Sequence, residues 1–90
     1  MALTPKVKQA LKARAHKLKP VVMIGSNGLS KNVNTEINRA LNDHELIKVK
    51  VSVEDRDERK SVLEAICNEH QAELVQSIGN IGVIYRKNKE

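Results

Sequence analysis

An uninterrupted apolar run at residues 21–24 leads directly into a turn bracketed by Gly25 and Gly28, and a serine follows at position 30. A continuous apolar run of this length predicts a short strand that is buried on both faces. Glycines at both ends of the turn allow a tight reversal of the backbone, and Ser30 is a suitable cap for a helix. This succession of strand, turn and helix indicates an α/β architecture.

Patterns typical of helices and strands alternate along the rest of the chain. Thr4 followed by Pro5 is typical of a helix start, and Pro20 ends that helix because proline restricts the residue before it. Gly79 and Asn80 are typical of a tight hairpin. The predicted elements are helix 5–19, strand 21–24, helix 30–43, strand 45–53, helix 55–69, strand 73–78 and strand 81–86. We therefore expect residues 1–90 to form one compact α/β domain of order α-β-α-β-α-β-β, a four-stranded mixed sheet packed with three helices.

Two of these elements have a predicted buried side. On the first helix the apolar residues share one arc: Val7, Ala10, Leu11, Ala15 and Leu18. The strand at 45–53 alternates, with apolar residues at 47, 49, 51 and 53 on one face and Lys48, Lys50 and Ser52 on the other. The lysine face of this strand is therefore expected to be solvated.

Basic residues are concentrated in the first third of the chain. Residues 1–35 contain seven Lys or Arg and no Asp or Glu, whereas residues 36–90 contain nine basic and eleven acidic side chains. Lysines on a helix usually form only a solvated face, but a helix that relied on charge for stability would mix signs to gain ion pairs. A one-sided positive surface predicts a polyanionic partner, in the first place RNA.

The turn at residues 25–28 is also a candidate anion site. The first N–H groups of a helix have no partner within it and, with the helix dipole, they favour a phosphate. The glycine spacing matches neither the Walker A loop nor the dinucleotide fingerprint, which argues against a nucleotide-hydrolysing enzyme. KH-type domains hold RNA phosphates on a G-x-x-G turn, but here the turn follows a strand, so the analogy is one of mechanism. A connection in which the glycines only satisfy backbone geometry is the simpler alternative.

Composition disfavours several other classes. The chain has no Phe, no Trp and one Tyr, Tyr85, so binding by stacking bases on aromatic side chains is not expected. The single cysteine, Cys67, fits a reducing cytoplasm, and we expect no signal peptide and no membrane span. Cys67 and His70 lie one turn apart, but no second pair completes a metal site, and no nucleophile–base set is visible. We therefore expect a non-enzymatic protein without a metal or cofactor.

Four blocks in this order resemble the CRM domain family, and within it the bacterial stand-alone YhbY type. The blocks are LKPVV at residues 18–22, IGSNGL at 24–29, HELIKVK at 44–50 and YR at 85–86. The resemblance covers nearly the whole chain and implies a fold similar to the C-terminal domain of translation initiation factor three. It also implies RNA binding, because bacterial members associate with precursor large ribosomal subunits and plant relatives act in organelle intron splicing.

The predicted RNA-binding site combines the family's G-x-x-G loop, which maps onto residues 25–28, with nearby basic residues. Arg14 is expected to reach toward this glycine turn. The site residues are Lys8, Lys12, Arg14, Lys17, Lys19, Gly25, Ser26, Asn27, Gly28, Lys31, Arg86 and Lys87.

The expected partners are ribosomal RNA and the precursor large ribosomal subunit, bound by a monomer, with no membrane partner and no small-molecule substrate. The main alternative is a protein-interaction module whose basic surface docks on a ribosomal protein or assembly factor. A DNA-binding protein ranks third, since no helix resembles a recognition helix with base-reading side chains.

Overall fold

The computed structural model describes residues 3–25 and 28–87 and has the element order that the sequence predicts. Its helices and strands are α1 (Pro5–Ala15), β1 (Pro20–Ile24), α2 (Lys31–His44), β2 (Leu46–Val51), α3 (Arg56–His70), β3 (Glu73–Ile78) and β4 (Ile81–Tyr85). The predicted hairpin is confirmed, with Gly79 at a φ of +55° between β3 and β4. No helix in this described part of the chain is both long and apolar enough to cross a lipid bilayer.

Each helix begins where a side-chain oxygen accepts a hydrogen bond from the first turn. Thr4 Oγ1 accepts from the N–H of Val7 at 3.2 Å, and Ser30 Oγ accepts from the N–H of Val33 at 3.1 Å. Asp55 Oδ1 caps α3 in the same way, 2.8 Å from the N of Asp57. These caps satisfy N–H groups that have no partner in the helix, and they fix the helix starts locally.

The four strands form one mixed sheet in the spatial order β1-β2-β4-β3. β1 is parallel to β2, whereas β4 is antiparallel to both β2 and β3. β1 is therefore an edge strand, paired on one side only. In the register, Met23 lies beside Lys50, and Lys50 lies beside Ile81.

Helices cover both faces of this sheet. On one face α2 and α3 enclose the larger core, which consists of Val22, Ile24, Ile37, Leu41, Ile47, Val49, Val51, Leu63, Ile66 and Ile84. On the other face α1 encloses a smaller core of Leu11, Ala15, Leu46, Val75 and Val83. The expectation that the face with Lys48, Lys50 and Ser52 is solvated is correct for Ser52, which is exposed, but Lys48 and Lys50 are half-buried. Leu46, on the same side of β2, lies beneath α1.

The prediction that residues 21–24 form a strand buried on both faces is also wrong. Val22 and Ile24 are buried, but Val21 and Met23 are 51% and 66% exposed. The reason is topological, since α1 lies against β2 and β3 and leaves the same face of the edge strand β1 open.

The predicted buried arc of α1 is too wide. Leu11 and Ala15 are buried, whereas Val7, Ala10 and Leu18 are exposed. A single helix on this face contacts the sheet through a narrow stripe, and its remaining apolar residues stay at the surface.

Candidate nucleic-acid interface

The glycine turn closes with a hydrogen bond between its two ends, from the N–H of Gly28 to the carbonyl oxygen of Gly25 at 3.0 Å. Gly28 has a φ of +72°, a left-handed conformation that favours glycine, whereas Gly25 is not among the residues with positive φ. At both positions, no described atom lies within 4 Å of where a Cβ would stand. The side of the backbone from which a Cβ would project is therefore open at Gly25 and at Gly28. Ser26 and Asn27 lie outside the described residues.

The start of α2 follows this turn directly. Ser30 caps the N–H of Val33, and Lys31, at the first helical position, is exposed. The other N–H groups of the first turn have no acceptor within the helix, and they carry the positive end of its dipole. Gly28 and Lys31 are thereby brought together with a helix N-terminus, an arrangement that suits an anion.

The cations of α1 are oriented by the two residues that anchor it. Because Leu11 and Ala15 point into the sheet, the other faces of the helix point outward. Lys8 and Lys12 are half-buried, consistent with stems that lie along the apolar surface and ammonium groups that reach water. The remaining Lys and Arg residues of this region are exposed: Lys6, Arg14, Lys17 and Lys19.

The end of α1 and the glycine turn lie at opposite ends of β1. This strand has five residues and is about 13 Å long at about 3.3 Å per residue. Arg14 lines a groove near the start of the strand together with His44 and Leu46. The expectation that Arg14 reaches toward the glycine turn is therefore wrong, and the candidate site has two separate basic ends.

Arg86 occupies a different position from the other predicted site residues. Its Nη1 donates to Asn38 Oδ1 at 3.1 Å and to the His70 carbonyl oxygen at 3.3 Å. Its Nη2 donates to Asn42 Oδ1 at 2.7 Å and to the Asn38 carbonyl oxygen at 3.3 Å. The guanidinium thus lies on the α2 and α3 side of the sheet, away from α1. Lys87 is exposed directly after it, and contact of either residue with RNA stays a prediction.

His70 belongs to the polar network around Arg86. The sequence indicated it only as a possible metal ligand beside Cys67. His70 is buried, and its Nε2 lies within hydrogen-bond distance of Asn34 Oδ1, at 3.0 Å. Burial lowers the pKa of His70, the nearby charge of Arg86 lowers it further, and Glu69 opposes the shift. A signal for this network was present in the sequence, because Asn34, Asn38 and Asn42 repeat at four-residue spacing along one face of α2.

Cys67 is a half-buried residue against the larger core. Burial raises the pKa of its thiol to about 11, with further contributions from Glu73 and Glu64, so the sulfur is protonated at neutral pH. Among residues 3–25 and 28–87, no three or more His, Cys, Asp or Glu side chains are grouped to hold a metal ion.

The chain is similar over nearly its whole length to proteins that are named for RNA binding. The chain is 52% identical over 88 residues to an "RNA-binding protein" of Haemophilus influenzae, covering 98% of this chain and 89% of that protein. It is 49% identical over 88 residues to a "Probable RNA-binding protein" of Pseudomonas aeruginosa, covering 98% of this chain and 85% of that protein.

A solved structure has the same fold as this chain. The solution structure of a hypothetical protein from Staphylococcus aureus superposes with a TM-score of 0.87 at 39% identity, covering 99% of this chain and 93% of that one. The model of the CRS1 / YhbY (CRM) domain matches residues 3–86, which include all seven helices and strands. The chain therefore belongs to the CRS1/YhbY (CRM) domain family.

Proposed function

We propose that this protein binds RNA, contacts ribosomal RNA and assists assembly of the large ribosomal subunit. The observation that carries the proposal is a run of basic residues in α1 and the segment after it, with no acidic residue among them in the sequence, which the edge strand β1 joins to the glycine turn and the start of α2. RNA binding is also the property for which the two relatives above are named.

The glycine turn would hold backbone phosphate. Gly28 needs its left-handed φ, so the simpler explanation from backbone geometry is sufficient there. Gly25 has neither a positive φ nor a described neighbour that a side chain would meet, so folding alone does not require glycine at that position. The lack of a side chain at Gly25 would leave room for a phosphate next to the start of α2, and Lys31 would add a cation there.

The cations of α1 would supply the electrostatic attraction. The basic residues of α1 and of the segment up to β1 have no acidic residue among them in the sequence. If five or six of them neutralise phosphates, the logarithm of the affinity for single-stranded RNA falls with the logarithm of the salt concentration with a slope of about −4. An affinity independent of salt would contradict this mechanism.

The ribosomal assignment is the more specific part of the proposal and follows from the family resemblance. Bacterial members of the stand-alone type associate with precursor large subunits, and we place this protein in the same role in the cytoplasm. The chemistry required of the protein is recognition of RNA, with no catalytic step and no cofactor.

Crosslinking to RNA in cells, followed by sequencing of the attached fragments, tests the proposal. The variants to compare are Gly25→Leu, which fills the open space above the turn, and Ser61→Leu, which adds the same side chain at an exposed position of α3. Reads concentrated in large-subunit ribosomal RNA, lost in Gly25→Leu and kept in Ser61→Leu, are the expected result. Scattered or absent reads, with the protein still cosedimenting with ribosomal particles, would replace the proposal with a protein-docking module.

A further inference from the structure

A groove of about 390 Å³ lies near the start of β1, at the opposite end of that strand from the glycine turn. We name it the β1 groove, and it is lined by Arg14, Leu18, Lys19, Val21, His44, Leu46 and Ile47. Its volume lies within the range of about 300–1,000 Å³ that small-molecule and nucleotide-sized ligands occupy.

The walls of the β1 groove divide into an aliphatic part and a basic part. Leu46 and Ile47 are buried in the two cores, whereas Leu18 and Val21 are partly exposed beside them. Arg14, Lys19 and His44 supply nitrogen groups, and no carboxylate is among the lining residues. Within the described residues, the side chains of Arg14 and Lys19 form no ion pair and no hydrogen bond. The groove thus combines apolar surface with two positive charges that the fold does not use.

We propose that the β1 groove receives an unpaired base of the bound RNA, with a flanking phosphate at Arg14 and Lys19. This inference rests on the proposed RNA binding and deepens it. A nucleotide carries a flat, weakly polar ring next to a negative charge, which matches aliphatic walls next to two cations. Unpaired bases also stack on Arg guanidinium planes, so Arg14 compensates for a chain that has one aromatic residue.

The position of the groove defines the path of the strand. β1 separates the groove from the glycine turn by about 13 Å, and its outward side chains Val21 and Met23 are the exposed surface between them. One RNA strand would follow this edge, with one phosphate at the turn and one base in the groove. A continuous duplex cannot place a base in the groove without unpairing it, so single strands or bulges bind more tightly than duplex.

Fluorescence anisotropy with a mixed-sequence single-stranded RNA of about twelve nucleotides tests this inference. A series of otherwise identical oligonucleotides carries one abasic nucleotide at successive positions. For the unmodified protein, the abasic nucleotide at one position is expected to weaken binding about tenfold, the effect of losing one stacked base. In Val21→Ser and in Arg14→Lys, which keeps the charge and loses the planar group, the same abasic nucleotide is expected to have no further effect.

Two control variants separate the groove from general effects. Ile78→Ser removes an apolar side chain that is 61% exposed on the opposite edge strand, and Arg39→Lys makes the same change as Arg14→Lys on the exposed surface of α2. Both are expected to keep the tenfold abasic effect. Thermal unfolding confirms that each variant is folded, which is expected because all four changes lie at exposed positions.

The contrary outcomes distinguish this inference from the function on which it rests. Salt-dependent RNA binding that is lost in Gly25→Leu, but is insensitive to abasic nucleotides at every position, would overturn the groove and leave the proposed function standing. Equal affinity for duplex and single-stranded RNA would also overturn the groove. No binding of any RNA by the unmodified protein would overturn both.

Discussion

Arg14 and Arg86 show how differently the two faces of the sheet use the same residue type. The guanidinium of Arg86, on the α2 and α3 face, donates four hydrogen bonds to Asn38, Asn42 and the His70 carbonyl. The side chain of Arg14, on the α1 face, is exposed and has no hydrogen bond or ion pair within the described residues. The first charge stabilises the fold, whereas the second is available to a ligand.

The difference follows from what surrounds each side chain. Arg86 lies where two helices and the end of β4 converge, and the carboxamides of α2 and the free carbonyl at the end of α3 supply acceptors. Arg14 lines the β1 groove, and no carboxylate or carboxamide is among the residues that line it. A charge count treats both residues as candidate RNA contacts, but their partners assign them to different tasks.

Replacing each arginine by glutamine is the strongest test of this comparison. Arg86→Gln is expected to lower the free energy of unfolding by about 2 kcal/mol, because the oxygens that accept hydrogen bonds from the guanidinium would lose their charged donor. Arg14→Gln is expected to change stability by less than about 0.5 kcal/mol, as substitutions at unpartnered surface positions do. Urea unfolding measures both. The comparison would break if the two variants lost equal stability, or if Arg86→Gln weakened RNA binding more than Arg14→Gln did.

Local signals in the sequence were sufficient to predict the order of the elements and the starts of the helices. The predicted end of the first helix was wrong, because α1 ends at Ala15 and not directly before Pro20. Thr4, Ser30 and Asp55 cap the three helices through contacts within three residues along the chain, so no distant information is needed to place those starts. Gly79 marks the hairpin in the same local way. The family resemblance, which rested on four short sequence blocks, was confirmed by the match of the family model to residues 3–86.

The spatial order of the strands was not available from such signals. The apolar run of β1 is typical of a central strand, yet β1 lies at an edge because β2 is the one strand that pairs with it. The same long-range arrangement places α1 over β2 and β3, buries Leu46 and leaves Val21 and Met23 open. The β1 groove exists only because residues distant in sequence meet, so no pattern along the chain could predict it.

Gly25 and Gly28 show the same contrast between a residue required for folding and one available for binding, with a smaller expected difference in stability. Gly28→Ala is expected to destabilise the protein by about 1 kcal/mol, because a Cβ is disfavoured at a φ of +72°. Gly25→Ala is expected to cause no loss of stability, since the added Cβ meets no described atom within 4 Å. Thermal unfolding compares the two variants. Equal destabilisation would mean that the fold requires glycine at both positions, so that Gly25 would not indicate a phosphate site.

His70 gives the polar network a predicted dependence on pH. The fold lowers the pKa of His70 from its usual 6.5, so below that pH the unfolded chain binds a proton more readily than the folded protein. The contribution of His70 to stability is therefore present above about pH 6.5 and decreases as the pH falls below it. Urea unfolding from pH 8 to 5.5 is expected to show this loss, and His70→Gln is expected to reduce it. His16→Gln, at an exposed histidine, is the matched control and should keep the full pH dependence.

The smallest expected effect is on the salt dependence of RNA binding when one lysine is replaced on each face of the sheet. It is expected for the lysine of α1 and not for the lysine of α3. Lys12→Gln removes a cation from α1, and Lys60→Gln removes one from the exposed surface of α3. If α1 contacts phosphate, Lys12→Gln makes the salt slope of RNA binding shallower by about 0.7, the contribution of one phosphate contact on a single strand. Lys60→Gln should leave the slope unchanged, since the acidic residues around the start of α3 largely offset its charge. Titrations at several salt concentrations measure both slopes. An equal decrease of the slope in the two variants would show that RNA binding depends on net charge alone. The difference between the two faces that the arginines show would then not hold for lysine.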